Sequence, residues 1–167
     1  AIGWTQEGLE AMERKSVSAV QTVYNILEQT PGNELIEKAE KQNVGILVRV
    51  PDASGILTGK VKAETVIPSN DHRKDRKQEW RQEALKKVEQ FRPIAERSGL
   101  NITEFAIKFI LSKKSIASVL PTVVSVEEIE TFAAISDGKY LNSSDMKEID
   151  ELYNTWPSYE LKATQAN

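Results

Sequence analysis

Val44-Gly45-Ile46-Leu47-Val48-Arg49-Val50 forms an almost continuous apolar run near the middle of the chain. A strand of a parallel sheet has this composition, because other parts of the protein cover both of its faces. The residues after this run, from 51 to about 73, show no helical spacing of apolar side chains. We therefore predict a parallel strand that is followed by a long loop.

Strand and helix patterns alternate on both sides of this run. Residues 19–24 and 116–120 are rich in β-branched residues and predict two more strands, and the short apolar segment 1–4 predicts a fourth. Apolar side chains spaced at three and four residues predict helices, near 6–15, 34–42 and 74–98 and after residues 101, 125 and 142. Strands separated by helices imply parallel pairing through right-handed crossovers. The pattern fits an α/β fold, either half of a (β/α)8 TIM barrel with four parallel strands or a small doubly wound sheet.

Local signals mark several helix ends. Asn101 with Glu104, and Ser125 with Glu128, have the spacing of capping boxes, in which two side chains satisfy free backbone N–H groups. Pro93 is expected to kink or restart the helix over residues 74–98, because proline removes a backbone donor.

The composition is that of an ordinary globular domain. The 167 residues are 40% hydrophobic and 28% charged, and the net charge of −3 gives no reason to expect a nucleic acid or an anionic membrane as partner. Without cysteine the chain has neither disulfides nor a thiolate nucleophile, and we predict no metal site. We expect a cytoplasmic protein. Because the sequence begins at Ala1 without a methionine, we also expect a chain that has been cut, processed or engineered there.

Four segments resemble the aldo-keto reductase family. Residues 51–60, Pro-Asp-Ala-Ser-Gly-Ile-Leu-Thr-Gly-Lys, resemble the family's Pro-Leu-small-small-Gly-Leu-Leu-Thr-Gly-Lys loop after barrel strand seven. Residues 2–6 are similar to its Ile-Gly-Val-Ser-Asn after strand five, and residues 20–25 to its Val-Gln-x-x-Tyr-Asn on strand six. Residues 118–121 stand where strand eight enters the cofactor loop. The resemblance implies that 1–167 is a single domain, the C-terminal half of the barrel with strands five to eight.

The resemblance also implies a nicotinamide cofactor site. Its residues would be Thr5, Gln6 and Gln21 for the carboxamide, Arg49 in place of an aromatic that stacks on the ring, Pro51, Ala53, Ser54, Gly55 and Leu57 for the pyrophosphate, and Thr122, Ser125 and Glu128 for the adenosine. Glycine allows close backbone approach, and the N–H groups of such a loop can bind phosphate. Structural alternatives remain: a plain tight turn at Ser54-Gly55, an inward core glutamine at Gln21, and an arginine paired with a carboxylate at Arg49.

The adenosine segment departs from the family pattern. Family members usually hold the 2′-phosphate of NADP with Lys or Arg, whereas this chain has Thr122, Val123, Val124 and Glu128 at those positions. Phe132 replaces an asparagine that contacts adenine. The cofactor is therefore NAD or NADP, with NAD slightly favoured.

The family's catalytic Asp, Tyr, Lys and His belong to earlier strands, which this sequence does not include. We interpret His72 as a surface loop residue and Tyr24 as a core residue, so no catalytic residue is assigned. The predicted function is the cofactor-binding half of an NAD(P)H-dependent reductase of an aldehyde or ketone, inactive alone and completed by an N-terminal half or by homo-oligomerisation. The alternatives are a non-catalytic half-barrel module with an assembly, cofactor-binding or regulatory role, and a small α/β fold of unknown role.

Overall fold

The computed structural model describes residues 5–30 and 32–156. The predicted strand over residues 1–4 and the side chain of His72 lie outside what it describes. In the described part, no helix is both long and apolar enough to cross a membrane.

Three parallel strands form one sheet in the described residues. They are β1 (Ala19–Val23), β2 (Gly45–Arg49) and β3 (Ile116–Leu120), in the spatial order β1-β2-β3. Their positions agree with the predicted strands to within one residue at each end. The central strand β2 aligns Leu47 with Gln21 and Ser118, and Arg49 with Val23 and Leu120.

Helices connect and cover these strands. They are α1 (Thr5–Met12), α2 (Gly32–Gln42), α3 (Gln78–Arg97), α4 (Ile102–Leu111), α5 (Val126–Ile135) and α6 (Ser143–Thr155), with a single 3-10 turn at His72–Asp75. Alternation of strands and helices is thus confirmed. Helix α1 ends at Met12, earlier than predicted, because residues 13–15 are exposed and offer nothing to the core.

The helix predicted over residues 74–98 is confirmed as α3, and of the two effects expected at Pro93, a kink or a restart, the restart was wrong. Helix α3 runs through Pro93 without a break. Phe91, Ile94 and Ala95 beside the proline are all buried. Burial of this apolar face therefore holds the helix together despite the one backbone hydrogen bond that proline removes.

The two capping boxes differ. At α4, Asn101 accepts from the N–H of Glu104, and the Glu104 carboxylate accepts from the N–H of Asn101, as predicted. At α5, Ser125 accepts from the N–H of Glu128, but the Glu128 carboxylate accepts from Val124 instead of Ser125. Only half of the second box is formed.

The sheet has one covered and one open face. Val20, Thr22, Ile46 and Val48 point towards the helices and are buried. The opposite side, which we call the open face, carries side chains that are half-buried or exposed: Gln21, Val23, Leu47, Arg49, Ser118 and Leu120. In the described part of the chain, no layer covers this face. A sheet of this kind is suited to be one part of a larger barrel.

Candidate functional site

The loop after β2 is tightly turned. Val50, Ala53 and Ser54 have positive φ angles of 57°, 48° and 61°, and Gly55 follows at 91°. Residues with a side chain rarely adopt this conformation, and a β-branched residue such as Val50 adopts it at a cost. The backbone is therefore held in shape by its surroundings, and it lies at the carboxyl end of the central strand.

Most amide groups of this loop are used within the loop itself. The N–H groups of Ala53, Gly55, Ile56 and Leu57 donate to loop carbonyls at 3.2, 3.1, 3.4 and 3.0 Å. Among the described residues, the N–H of Ser54 has no acceptor. Of the amides of residues 53–57 that were expected to bind a pyrophosphate, only the N–H of Ser54 is thus free to donate, and the N–H of Asp52 just before them also has no described acceptor.

A cation covers the same turn. A Cβ added at Gly55 would lie 3.0 Å from Cγ2 of Val61 and 3.5 Å from Nη1 of Arg73. The Nε of Arg73 donates to both carboxylate oxygens of Asp71, at 3.0 and 2.9 Å. The positive φ angle of Gly55 and the atoms of Val61 and Arg73 close to it therefore both favour glycine at this position.

Buried polar groups fix the loop from below. Nδ2 of Asn25 donates to the carbonyl of Val50 at 3.0 Å and to Glu28 at 2.9 Å. Arg76 forms two hydrogen bonds to the Glu28 carboxylate, at 2.6 and 3.1 Å, and lies 4.2 Å from the ring of Trp80. This network, Asn25–Glu28–Arg76, was not predicted, although Asn25 belongs to the segment that carried the family resemblance.

Two polar side chains of the open face are without partners. The side chains of Gln21 and Arg49 form no hydrogen bond with any described residue, although the backbones of both residues belong to the sheet. The Nε atom of Arg49 is shielded from solvent and still has no acceptor. A shielded N–H without an acceptor is unfavourable, so something beyond the described residues is expected to meet this side chain.

Thr5 and Gln6 are placed differently from Gln21. Thr5 begins α1 and is half-buried, and the exposed Gln6 donates along the helix to Glu10 at 2.8 Å. No described contact joins either residue to Gln21. The structure therefore places Gln21, in the middle of β1, and Arg49, at the carboxyl end of β2, on the same face of the sheet, and the β2 loop follows Arg49 directly. The cofactor roles of these residues, and of Thr5 and Gln6, stay predictions.

The segment after β3 reaches the β2 loop through one ion pair. Lys60 pairs with the Glu128 carboxylate, whose other oxygen accepts from the N–H of Val124 at 2.8 Å. Lys60 first, and the Val124 N–H second, hold the pKa of Glu128 below its usual range. Thr122 is exposed, and Ser125 caps α5. Lys60 is a site residue that the sequence did not single out, although it ends the loop motif.

Tyr24 is a core residue, as predicted. It is fully buried, stacks on Phe109 with ring centroids 5.6 Å apart, and donates to Asn33 at 2.9 Å. Burial, with a smaller effect of Asp150, raises the pKa of Tyr24 far above its ordinary value. This phenol is therefore not available as a proton donor at the open face.

Comparison with known proteins agrees with this architecture. The model of the aldo/keto reductase family matches residues 3–154. A glycerol dehydrogenase from Gluconobacter oxydans is similar in structure with a TM-score of 0.70 at 22% identity, over 80% of this chain and 41% of that chain. The holo form of an aldo-keto reductase from Bacillus halodurans gives 0.64 at 19% identity, over 86% and 45%. A thermostable aldo-keto reductase in complex with epalrestat gives 0.57 at 18% identity, over 86% and 43%.

This chain thus spans less than half the length of these solved structures. The parallel α/β sheet is that of a partial barrel. With the family model matched over residues 3–154, the chain belongs to the aldo-keto reductase family.

Proposed function

We propose that this chain is the cofactor-binding, C-terminal half of an aldo-keto reductase, containing strands five to eight and acting on an aldehyde or ketone. The observation that carries the proposal is the carboxyl end of the sheet. There Arg49, whose Nε has no acceptor, ends β2 directly before the turned loop at residues 50–57, and the unpartnered Gln21 lies on the same face of the adjacent strand, two register positions away. In barrels of this kind, ligands bind at the carboxyl ends of the strands.

The residues present fit a nicotinamide dinucleotide. Gln21 offers both a donor and an acceptor, as a carboxamide requires. Ser54 keeps a free N–H next to Gly55, where a phosphate can approach the backbone closely. We also assign Thr5 and Gln6 to the carboxamide, and Thr122 and Ser125 to the adenosine. When bound, the cofactor supplies the hydride for a carbonyl carbon; the chain's own residues bind and orient it.

Carbonyl reduction also requires a proton donor. Tyr24 does not supply one, because it is buried and bonded to Asn33. We therefore place the catalytic residues in an N-terminal half, or in a second copy that completes the barrel. The uncovered open face supports a further layer of protein against the sheet, and the exposed Val126 and Ile129 add apolar surface on α5.

The test is a fluorescence titration of the chain with NADH and NADPH. We expect saturable binding, and we expect Gln21→Ala to weaken it by about tenfold, the equivalent of one or two hydrogen bonds. Ser118→Ala is the matched control, because Ser118 lies in the same row of the open face on the far strand. Absence of binding, or equal losses in both variants, would contradict the proposal.

A further inference from the structure

Arg49 is an uncompensated cation at the end of the central strand. It is the last residue of β2 and lies on the open face, in register with Val23 and Leu120. Its Nε is shielded, and the described residues place no acceptor against it. Because an arginine side chain keeps its proton in proteins, this positive charge is permanent.

Among the other partly buried arginines of the described chain, two have carboxylate partners, whereas Arg81 donates to the carbonyl of Thr65 and also has an Nε without an acceptor. Arg73 is bonded to Asp71, and Arg76 to Glu28. Arg49 differs from Arg81 in its position, because Arg49 ends β2 on the open face whereas Arg81 lies in α3. A shielded charge acts on its neighbours more strongly than an exposed one, because less water screens it.

The next step rests on the proposed function. With the pyrophosphate at Ser54-Gly55 and the adenosine towards the β3 loop, the nicotinamide extends in the other direction, towards Gln21 on β1. Gln21 and Arg49 lie on the same face of adjacent strands, two register positions apart. Given the spacing of strands and of residues along them, their Cα atoms are separated by roughly 8 Å. A ring bound by Gln21 is thus within reach of the Arg49 guanidinium.

The charge of the nicotinamide ring depends on its redox state. The ring is a cation when oxidised and neutral when reduced, so a fixed cation beside it repels only the oxidised form. We propose that Arg49 sets the redox-state preference of the site, so that the reduced cofactor binds more tightly and the oxidised cofactor is released. Such a site favours binding of the reduced cofactor before the reaction and release of the oxidised cofactor after it, as carbonyl reduction requires.

The experiment compares dissociation constants for NADH and NAD+, and for NADPH and NADP+, without any turnover. In the unmodified protein we expect the oxidised form to bind at least about tenfold more weakly. Arg49→Gln should bring the two constants together, mainly by tightening the binding of the oxidised form. Arg49→Lys, which keeps the charge, should retain the preference. Arg14→Gln is the matched control, because it removes the same charge from an exposed residue in the turn that precedes the amino end of β1, whereas Arg49 lies at the carboxyl end of β2.

A purely structural role would weaken both redox forms alike in Arg49→Gln and overturn the inference. Binding of both forms to the unmodified protein with equal affinity would overturn the inference but not the proposed function. Binding of neither form would overturn both. Circular dichroism of each variant checks folding; if Arg49→Gln does not fold, the ratios of the unmodified protein and of Arg49→Lys still decide the outcome.

Discussion

At the scale of single residues, the ion pair Lys60–Glu128 joins the two loops that we assign to the cofactor. The pair carries no net charge, and Thr122 and Val124 beside it are uncharged. A 2′-phosphate placed there would therefore gain no free cation unless it separated Lys60 from Glu128.

We accordingly expect NAD to bind at least as tightly as NADP. Charge-assisted phosphate contacts contribute about 1.5–3 kcal/mol each, so the double substitution Glu128→Arg with Val124→Arg should shift preference towards NADP by about tenfold or more. The control is Glu127→Arg with Val126→Arg, which adds the same charge at exposed neighbours. Fluorescence titration with both cofactors measures the ratio. Clear NADP preference in the unmodified protein would show that the phosphate site is elsewhere.

The contribution of Asp145 to the stability of the fold depends on pH. Asp145 is buried and accepts from Arg97 and Ser98, both at 2.7 Å. Burial acts to raise the pKa of Asp145, but these donors hold it below its ordinary value. A carboxyl with a lowered pKa stabilises the fold above the pKa of the unfolded chain, near 4, and this contribution is lost as pH falls through the folded pKa.

Asp145→Asn should therefore lower the free energy of unfolding by about 1–3 kcal/mol at pH 7, and by less at pH 3. Urea denaturation at several pH values measures the difference. Glu148→Gln is the control, because Glu148 also accepts from Arg97 at 2.7 Å but its side chain is 43% exposed, compared with 4% for Asp145. A difference that grows as the pH falls would contradict this assignment.

The sequence predicts a site residue when the role of that residue depends on its neighbours along the chain. Gly55 and Gln21 stand in short motifs, so the positions of Gly55 in the loop after β2 and of Gln21 on β1 were predicted. Lys60 pairs with Glu128, which lies in the first turn of α5, and no local sequence pattern predicts a pair between residues so far apart in the chain. The Glu128 carboxylate was expected to accept from the N–H of Ser125. It accepts instead from the N–H of Val124 and pairs with Lys60.

At the scale of elements, the β2 loop depends on the network Asn25–Glu28–Arg76. Oδ1 of Asn25 accepts from the N–H groups of Leu27 and Glu28 at 3.0 and 2.9 Å, while its Nδ2 donates to the carbonyl of Val50. One buried side chain thus connects the loops after β1 and β2.

Asn25→Ala should destabilise the protein by about 2–4 kcal/mol, because it leaves buried donors and an acceptor unpaired. Chemical denaturation measures the change, and the same variant should weaken cofactor binding by loosening the Val50 turn. Thr58→Ala is the control, since it removes one hydrogen bond within the loop, to Gly55. Loss of less than about 0.5 kcal/mol in Asn25→Ala would refute the role of the network.

The same scale shows why most elements were predictable. The apolar run at residues 44–50 predicts strand β2, and the spacing of apolar residues predicts the buried face of α4. Both signals are local properties of the sequence. Whether the helix over residues 74–98 would restart at Pro93 could not be decided from the sequence, since its continuity depends on the burial of Phe91 and Ile94 in the folded chain. The strand expected at residues 1–4 stays a prediction.

At the scale of the whole molecule, the open face and helix α5 present apolar surface. Leu120, Val126 and Ile129 are 41%, 65% and 57% exposed. Parallel strands at the edge of a sheet and apolar patches of this kind mark interfaces. We therefore propose that another layer of protein packs against this apolar surface.

We predict that the chain self-associates or binds an N-terminal half. Analytical ultracentrifugation should show species larger than a monomer, and Leu120→Lys should reduce them, whereas Lys114→Glu at an exposed site should not. A monodisperse monomer at micromolar concentration would contradict the prediction.

The chain alone should also lack carbonyl reductase activity, because Tyr24 is buried and the proposed donor lies elsewhere. Oxidation of NADH or NADPH by simple aldehydes, followed by absorbance, tests this. Turnover that exceeds that of the Gln21→Ala variant would show that a proton donor is present in this chain.

The central claim is that the carboxyl end of this sheet binds a nicotinamide dinucleotide. Backbone amide NMR of the chain during titration with NADH tests it most directly, because each amide reports its own surroundings. We predict saturable shifts concentrated at Ser54, Gly55, Arg49 and residues 122–125, with residues 44–46 at the amino end of β2 unchanged. Shifts centred on that amino end, or no shifts at millimolar NADH, would contradict the claim.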